Sequence, residues 1–271
     1  MDRRPLGVFD SGLGGLTAVR ELRSILPSEN IIYFGDTSRV PYGGRSEEIL
    51  LHYARQDVHF LRSFDIKAIL VACGTVSTTA LPTLQRENDL PVLGVVEPAC
   101  RRAAAKTRNK RVGLIATTAS VRSGAYERTL QQIDPEIQVV GKACPLFVPL
   151  VENGRTRPDD VVIKTVCEEY LEDMKRAGVD TLILGCTHYP LLKEVIGTCM
   201  GSDVKLVDVG AACARYVAGE LEQENLLTAQ TQNGGCNYYV SDTVDGFSAL
   251  ASRFLGRDVT GCVERVDIDK Y

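Results

Sequence analysis

The chain has 271 residues, of which 44% are hydrophobic and 24% are charged, and its net charge is −4. This composition is typical of a globular protein with two ordinary domains, and it excludes the basic footprint of a nucleic-acid-binding protein. No segment has the length of a membrane span, and the first residues lack the apolar stretch of a signal peptide. Nine cysteines without a framework spacing indicate reduced thiols, so we expect a cytoplasmic protein with no membrane partner.

Strand-like and helix-like segments alternate along the first part of the chain. The predicted strands are residues 6–10, 30–35, 69–73 and 91–96. The predicted helices are residues 16–26, a helix from the N-cap Ser46 to about residue 64, and residues 80–86. A glycine-rich turn at residues 11–15 and a loop at residues 39–44 interrupt this pattern. The alternation predicts a parallel α/β architecture.

The same alternation continues after Pro98, where a helix leads to a second set of strands. The predicted strands are residues 111–116, 137–144, 182–186, 205–209 and 238–240. Helices are predicted after Pro98, at residues 123–131 and 158–177, from Pro190 onward and near the end of the chain, whereas residues 147–153 are predicted as a loop or short turn. Pro158 is expected in the first turn of its helix, where proline is tolerated.

The two halves of the chain share short segments. Gly7-Val8-Phe9-Asp10 resembles Gly113-Leu114-Ile115-Ala116. The number of residues between these two segments is similar to the number between the strands that end at Cys73 and Cys186. We therefore expect two similar, pseudo-symmetric three-layer α/β domains with mostly parallel sheets and an active site in the cleft between them. The tail is expected to return to the first half, so that residues 1–97 and 208–271 form one domain and residues 98–207 the other.

Cys73 and Cys186 are the foremost candidate functional residues. Each follows a branched apolar strand and precedes small polar residues, and ligands collect at the carboxyl ends of strands in open α/β sheets. A thiolate and a thiol facing one ligand are suited to removing a proton on one side and returning it on the other. His188 lies two positions after Cys186 and shares its face if the strand continues. The alternative is that both cysteines are buried apolar side chains.

The segment Asp10-Ser11-Gly12-Leu13-Gly14-Gly15 invites comparison with a dinucleotide-binding turn. Thr17 stands where that fingerprint requires glycine or alanine, and the carboxylate of Asp10 would repel a pyrophosphate. We therefore predict that this turn presents N–H groups to the carboxylate of a small ligand. Neither Cys-x-x-Cys nor His-x-x-x-His occurs, so no metal site is predicted. Asp10, Asp36 and Glu152 either orient or tune the thiols or are turn or cap residues, and Tyr42 is either a turn residue or a ligand contact.

Taken together, these residues resemble the glutamate racemases of the cofactor-independent aspartate/glutamate racemase superfamily over essentially the whole chain. The matching stretches are Phe9 to Gly15, Asp36 to Gly43, Val71-Ala72-Cys73, Ile115-Ala116-Thr117, Cys144 to Glu152, and Leu184 to Pro190 with the motif Gly185-Cys186-Thr187-His188-Tyr189.

The resemblance implies that Cys73 and Cys186 are the acid/base residues, one for each enantiomer. It implies that Asp10, Glu152 and His188 assist them and that Asp36 lies behind them. The residues that it implies as contacts of the substrate glutamate are Asp10, Ser11, Tyr42, Gly43, Gly74, Thr75, Thr187 and His188. Members of this superfamily use no pyridoxal phosphate, metal or other cofactor, supply D-glutamate for peptidoglycan in the cell wall, and form homodimers.

One departure from the family pattern follows the first cysteine. The family usually has Asn-Thr-Ala-Ser there, whereas this chain has Gly74-Thr75-Val76-Ser77. The missing amide removes a donor, and a hydrogen bond to a charged group contributes about 1.5–3 kcal/mol, so substrate binding or substrate choice is affected unless another group replaces it. Three alternatives stay open: racemisation of a related acidic amino acid such as aspartate, hydrolysis by one cysteine with His188, and a non-catalytic regulatory protein on the same scaffold.

Overall fold

Two separate parallel β-sheets organise the chain. In the computed structural model, which describes residues 2–259 and 261–271, one sheet has six strands and the other has four. The strands are β1 Leu6–Asp10, β2 Ile31–Gly35, β3 Ala68–Val71, β4 Val92–Gly94, β5 Arg111–Ala116, β6 Gln138–Ala143, β7 Thr181–Leu184, β8 Lys205–Asp208, β9 Cys236–Val240 and β10 Val263–Arg265.

Helices follow most of these strands. They are α1 Leu16–Ile25, α2 Glu47–Arg62, α3 Gly74–Thr79, α4 Leu81–Glu87, α5 Val96–Ala104, α6 Thr118–Ser123, α7 Ala125–Ile133, α8 Phe147–Glu152, α9 Val161–Arg176, α10 Lys193–Met200, α11 Val209–Gln223 and α12 Val244–Leu255, with 3₁₀ turns at Tyr189–Leu192 and Ile268–Lys270. Among the described residues, none of these helices combines the length and apolar character that a membrane crossing requires.

The two sheets repeat one strand order. The first runs β10-β9-β2-β1-β3-β4 and the second runs β6-β5-β7-β8, so β1 to β4 correspond in order to β5 to β8. Every pairing within the described sheets is parallel. The repeated order confirms the predicted α/β fold with two similar halves. Because the carboxyl ends of parallel strands share one edge, each half presents one edge to a ligand.

The last two strands extend the first sheet. Residues of β9 pair with β2 in the register Ile31 to Cys236, and β10 pairs with β9 in the register Val263 to Tyr238. The tail therefore lies against the first half of the chain, beside the edge that β2 would otherwise leave open. The domain boundaries at residues 97 and 208 stay a prediction.

Apolar side chains cover both faces of the first sheet, which makes this half three-layered. Val8 and Leu70 belong to a large buried cluster that also includes residues of the second sheet. Phe9, Phe34 and Phe60 belong to a second cluster, between the opposite face and α2. Strands that are buried on both faces are typical of parallel sheets with helices on each side.

Several local elements differ from the sequence prediction. The strand before the first cysteine ends at Val71, and the unpredicted helix α3 begins at Gly74, with Cys73 as its N-cap. Residues 147–152, predicted as a loop or turn, form the helix α8. The helix α11 was not predicted at all. The helices α3 and α8 have only six residues each, too few for an apolar period to be recognised, whereas the 15-residue α11 is long enough to show one and was overlooked.

Two predicted helices have different boundaries. The helix predicted from Pro158 begins at Val161, because the side chain of Asp160 accepts a hydrogen bond from the N–H of Val162 and caps it. The helix predicted at residues 123–131 is two helices, α6 and α7, which meet at Gly124 with a φ of +65°. A positive φ favours glycine and ends a helix in the left-handed conformation.

A buried ion pair lies at the edge of the first sheet where the strands begin, opposite to their carboxyl ends. The ammonium of Lys67 bonds the Glu29 carboxylate and the carbonyl oxygen of Leu226, the latter at 2.7 Å. Glu29 also accepts the N–H of Thr228 at 2.7 Å. Both charged side chains are at most 2% exposed. This pair attaches the segment after α11 to the start of β3.

Replacing Lys67 with methionine is expected to lower the free energy of unfolding by about 3–5 kcal/mol, because it leaves the Glu29 carboxylate buried without its cation. Urea denaturation measures this change. The control is Lys270→Met, which removes an exposed pair with Asp267 and should change the free energy of unfolding by less than about 0.5 kcal/mol. Equal losses in the two variants would contradict the expected role of the buried pair.

Candidate active site

A cavity of about 480 Å³ lies where the carboxyl ends of the two sheets meet. Its wall contains the segments that follow four strands, at residues 11–12, 73–75, 117–118 and 185–188. A loop at residues 40–44 and several residues between 144 and 152 complete the wall. Both halves of the chain therefore contribute to one site.

Cys73 enters the cavity at the start of α3. Its side chain is buried, and its Sγ lies 3.6 Å from the hydroxyl oxygen of Ser11. Burial, together with the nearby carboxyl of Asp10, raises the pKa of the Cys73 thiol to about 12. This group is consequently a protonated thiol at neutral pH, which is the form that can donate a proton.

Cys186 begins a short chain of hydrogen-bonding groups. Its Sγ lies 3.9 Å from Nδ1 of His188, and Nε2 of the same ring lies 2.9 Å from Oε1 of Glu152. Burial lowers the pKa of His188, but the hydrogen bonds with Cys186 and Glu152 outweigh it and raise the pKa to about 10. At neutral pH the imidazole is therefore a cation that lies between the sulfur of Cys186 and the carboxyl group of Glu152.

Asp10 lies behind the wall and is almost completely buried. One carboxylate oxygen accepts the N–H of Gly12 at 3.1 Å, and the other accepts the hydroxyl of Thr187 at 3.4 Å. Burial raises the pKa of Asp10, while the charge of His188 and these donors oppose the rise. The carboxyl group thus joins the turn after β1 to the segment after β7.

Asp36 lies behind the loop at residues 40–44 and is likewise absent from the wall. It accepts hydrogen bonds from the hydroxyl of Tyr42 and the guanidinium of Arg39. A second buried carboxyl, Asp57, lies 3.0 Å from Arg39, and burial and the charge of Asp36 raise its pKa. Sequence reasoning did not identify Asp57. The cluster holds the phenol of Tyr42 in place at the edge of the cavity.

The cavity brings together most of the residues named from the sequence. The predicted residues on its wall are Ser11, Tyr42, Gly43, Cys73, Gly74, Thr75, Glu152, Cys186, Thr187 and His188. Asp10 and Asp36 are the two that lie behind it. Wall residues not predicted as part of a site include Thr117, Thr118, Cys144, Pro145, Val148 and Pro149. Their signal in the sequence was the position of residues 117–118 and 144–145 just after two strands of the second sheet.

Comparison with known proteins assigns this arrangement to a class. A family model described as Asp/Glu/Hydantoin racemase matches residues 20–217, and the chain belongs to this family. The glutamate racemase of Geobacter metallireducens is 50% identical over 94% of both chains.

Solved structures agree. A glutamate racemase from Bacillus anthracis has a TM-score of 0.94 and 34% identity over 98% of both chains. The glutamate racemase from Francisella tularensis, solved with D-glutamate, has a TM-score of 0.92 and 37% identity over 100% of both chains. Within its family, the chain therefore groups with the glutamate racemases.

Proposed function

We propose that this protein interconverts L-glutamate and D-glutamate by moving the α-proton between two cysteines, without a cofactor. The observation that carries the proposal is that Cys73 and Cys186 lie on the wall of one cavity. Each follows a strand of a different sheet. The similarity to glutamate racemases, one of them solved with D-glutamate, supports glutamate as the substrate.

We propose that the two cysteines have opposite roles in each direction of the reaction. Cys186, whose sulfur lies 3.9 Å from Nδ1 of His188, removes the α-proton from the enantiomer whose C–H bond points toward it. The protonated thiol of Cys73 then donates its proton to the opposite face of the carbanion. The product leaves an enzyme with the proton on Cys186 and the negative charge on Cys73. That form accepts the other enantiomer for the reverse reaction.

The cavity is suited to binding carboxylates without a lysine or arginine side chain on its described wall. Instead, the wall has hydroxyls from Ser11, Thr75, Thr117 and Thr187. Hydroxyl and N–H donors bind carboxylates with directional hydrogen bonds. We propose that Ser11, Thr75 and Thr187, with Tyr42, Gly43, Gly74 and His188, hold the charged groups of glutamate. Asp10, Glu152 and Asp36 act through the wall residues to which they are hydrogen-bonded, which are Thr187, His188 and Tyr42.

The wider role follows the same resemblance. We propose that the product D-glutamate serves peptidoglycan synthesis and that the protein is a cytoplasmic homodimer. The chain would comprise one domain of residues 1–97 and 208–271 and another of residues 98–207.

Exchange of the α-hydrogen with solvent tests the reaction and the substrate together. In D₂O the purified protein is incubated separately with L-glutamate, D-glutamate, L-aspartate and L-alanine, and NMR follows deuterium at the α-carbon while circular dichroism follows racemisation. We expect exchange and loss of optical activity with both forms of glutamate. Exchange with aspartate alone would favour an aspartate racemase, and exchange with no amino acid would contradict a racemase of any kind.

A further inference from the structure

The residue after Cys73 contacts the residue before Cys186. A Cβ atom added to Gly74 would lie 2.6 Å from the carbonyl oxygen of Gly185 and 4.0 Å from the Cα of Cys186. A carbon and an oxygen do not pack at 2.6 Å without a shift of one of them. The segments that carry the two thiols thus approach each other through backbone, and the approach depends on the absence of a side chain at position 74.

Neither backbone is free to yield at this contact. The N–H of Gly185 bonds the carbonyl of Ile115 at 2.7 Å, and the side of Gly185 that faces Ala116 is filled, since a Cβ there would lie 3.0 Å from the Cβ of Ala116. On the other side, the Ser77 N–H bonds the Cys73 carbonyl at 2.9 Å. A side chain at position 74 would therefore move the two halves apart instead of displacing one loop.

Other contacts around the cavity join the same two halves. The N–H of Ala119 donates to the carbonyl of Gly43 at 3.0 Å, and the hydroxyl oxygens of Thr75 and Thr117 are 3.0 Å apart. A Cβ on Gly43 would lie 3.0 Å from the Cβ of Thr117. The halves thus meet at several points, and Gly74 is the point of contact adjacent to both cysteines.

We infer that Gly74 is a positioning residue, which sets the distance across the cavity between Cys73 and Cys186 by allowing backbone contact with Gly185. The inference rests on the proposed function. A two-sided proton transfer requires both sulfurs to reach one carbon, and a displacement of about 1 Å from the productive geometry can lower a rate by roughly 10²-fold.

The close backbone contact and the missing amide donor lead to opposite expectations for substitutions at position 74. If Gly74 mattered only because it lacks an amide, Gly74→Asn would improve turnover and Gly74→Ala would change little. If Gly74 is required for close approach, both substitutions lower turnover, since each introduces a Cβ against the Gly185 carbonyl.

The test compares racemisation with α-hydrogen exchange in Gly74→Ala. We expect kcat to fall at least tenfold with a much smaller change in KM. We also expect a rise in the ratio between two rates, that of α-hydrogen exchange with retained configuration and that of racemisation. A thiol that removes a proton and finds its counterpart out of reach returns a solvent proton to the same face. A loss of folded protein would lower exchange and racemisation in proportion and leave their ratio unchanged.

The matched control is Gly219→Ala in α11, where an added Cβ meets no atom within 4 Å, and it should keep wild-type kcat and ratio. Gly43→Ala is a second variant, which separates the same halves at a different contact and should raise the ratio by a smaller amount. Wild-type kcat in Gly74→Ala, a higher kcat in Gly74→Asn, or an unchanged ratio in both Gly74→Ala and Gly43→Ala would overturn the inference. Failure of the proposed function is distinguishable, because the wild-type protein itself would then racemise no glutamate.

Discussion

Replacing either Cys73 or Cys186 with alanine is expected to lower the rate of glutamate racemisation by roughly 10³–10⁴-fold in both directions, at the upper end of what one acid or base contributes. Each direction needs a base on one face of the α-carbon and an acid on the other, and each sulfur fills one of these roles per turnover. Circular dichroism at saturating L-glutamate and then D-glutamate measures the loss.

The control for these variants is Cys213→Ala. Cys213 is as buried as the two cavity cysteines, but its Sγ lies 3.6 Å from the carbonyl of Gly94 and outside the cavity wall. This variant should retain nearly full activity with a modest loss of stability. If Cys73→Ala or Cys186→Ala kept more than about a tenth of wild-type turnover, a loss far smaller than removal of an acid or base causes, the two-thiol mechanism would be wrong.

Replacing His188 with asparagine is expected to lower kcat/KM by roughly 10²-fold or more, because Cys186 loses the cation that lies next to its sulfur. L- and D-glutamate have equal free energies in water, so the equilibrium constant is one and kcat/KM must fall by the same factor in the two directions. The individual kcat values are free to fall unequally, since Cys186 acts as the base in only one of the two directions. Initial rates over a range of concentrations of each enantiomer separate these effects.

The same substitution changes how stability depends on pH. The pKa of His188 is raised from 6.5 to about 10 in the folded protein, so protonation of this ring favours folding. Its contribution is fully present below pH 6.5 and is lost as the pH rises through about 10. The difference in unfolding free energy between wild type and His188→Asn should shrink over this range.

Urea denaturation at several pH values measures that difference. His59→Asn, which changes an exposed histidine on α2, is the control and should show no comparable trend. A difference that stays constant from pH 6 to beyond the raised pKa would show that the ring is not held as a cation.

The two halves share a strand order, yet they place their thiols in unlike surroundings. Cys73 lies near the buried carboxyl of Asp10, whereas Cys186 lies beside a histidine cation. The electrostatic difference arises from side chains, which the repeated backbone does not constrain. Unlike surroundings are what a pair of groups needs if one is to act as the acid and the other as the base.

Much of the fold was predictable from local sequence. The buried strands are runs of branched apolar residues, and Ser46 does cap α2 by accepting the N–H of Ile49. Parallel strands bring their carboxyl ends to one edge, which is why residues that follow β1, β3 and β7 meet around one cavity. The pattern of apolar residues and the order of the predicted strands were sufficient to predict these features.

What escaped prediction depends on contacts between distant segments. Asp57 lies on α2, where a carboxylate is expected to face water, and only the fold brings it to Arg39. Thr117 follows an ordinary strand, and its proximity to Thr75 depends on how the halves meet. The closeness of Gly74 to Gly185 is likewise a property of the assembled backbone, for which no local pattern exists.

The tail strands have a consequence for the order in which the protein is made. All four described strands of the second sheet come from residues 111–208, whereas the first sheet takes the two strands at one of its edges, β9 and β10, from residues 236–265. On the ribosome the second sheet can therefore form while β2 still has a bare edge, the kind of edge that attracts other chains. Ser241, directly after β9, donates its hydroxyl to Asp36 at 2.8 Å. The hydrogen bonds behind Tyr42 are therefore complete only after β9 and Ser241 have joined the first sheet.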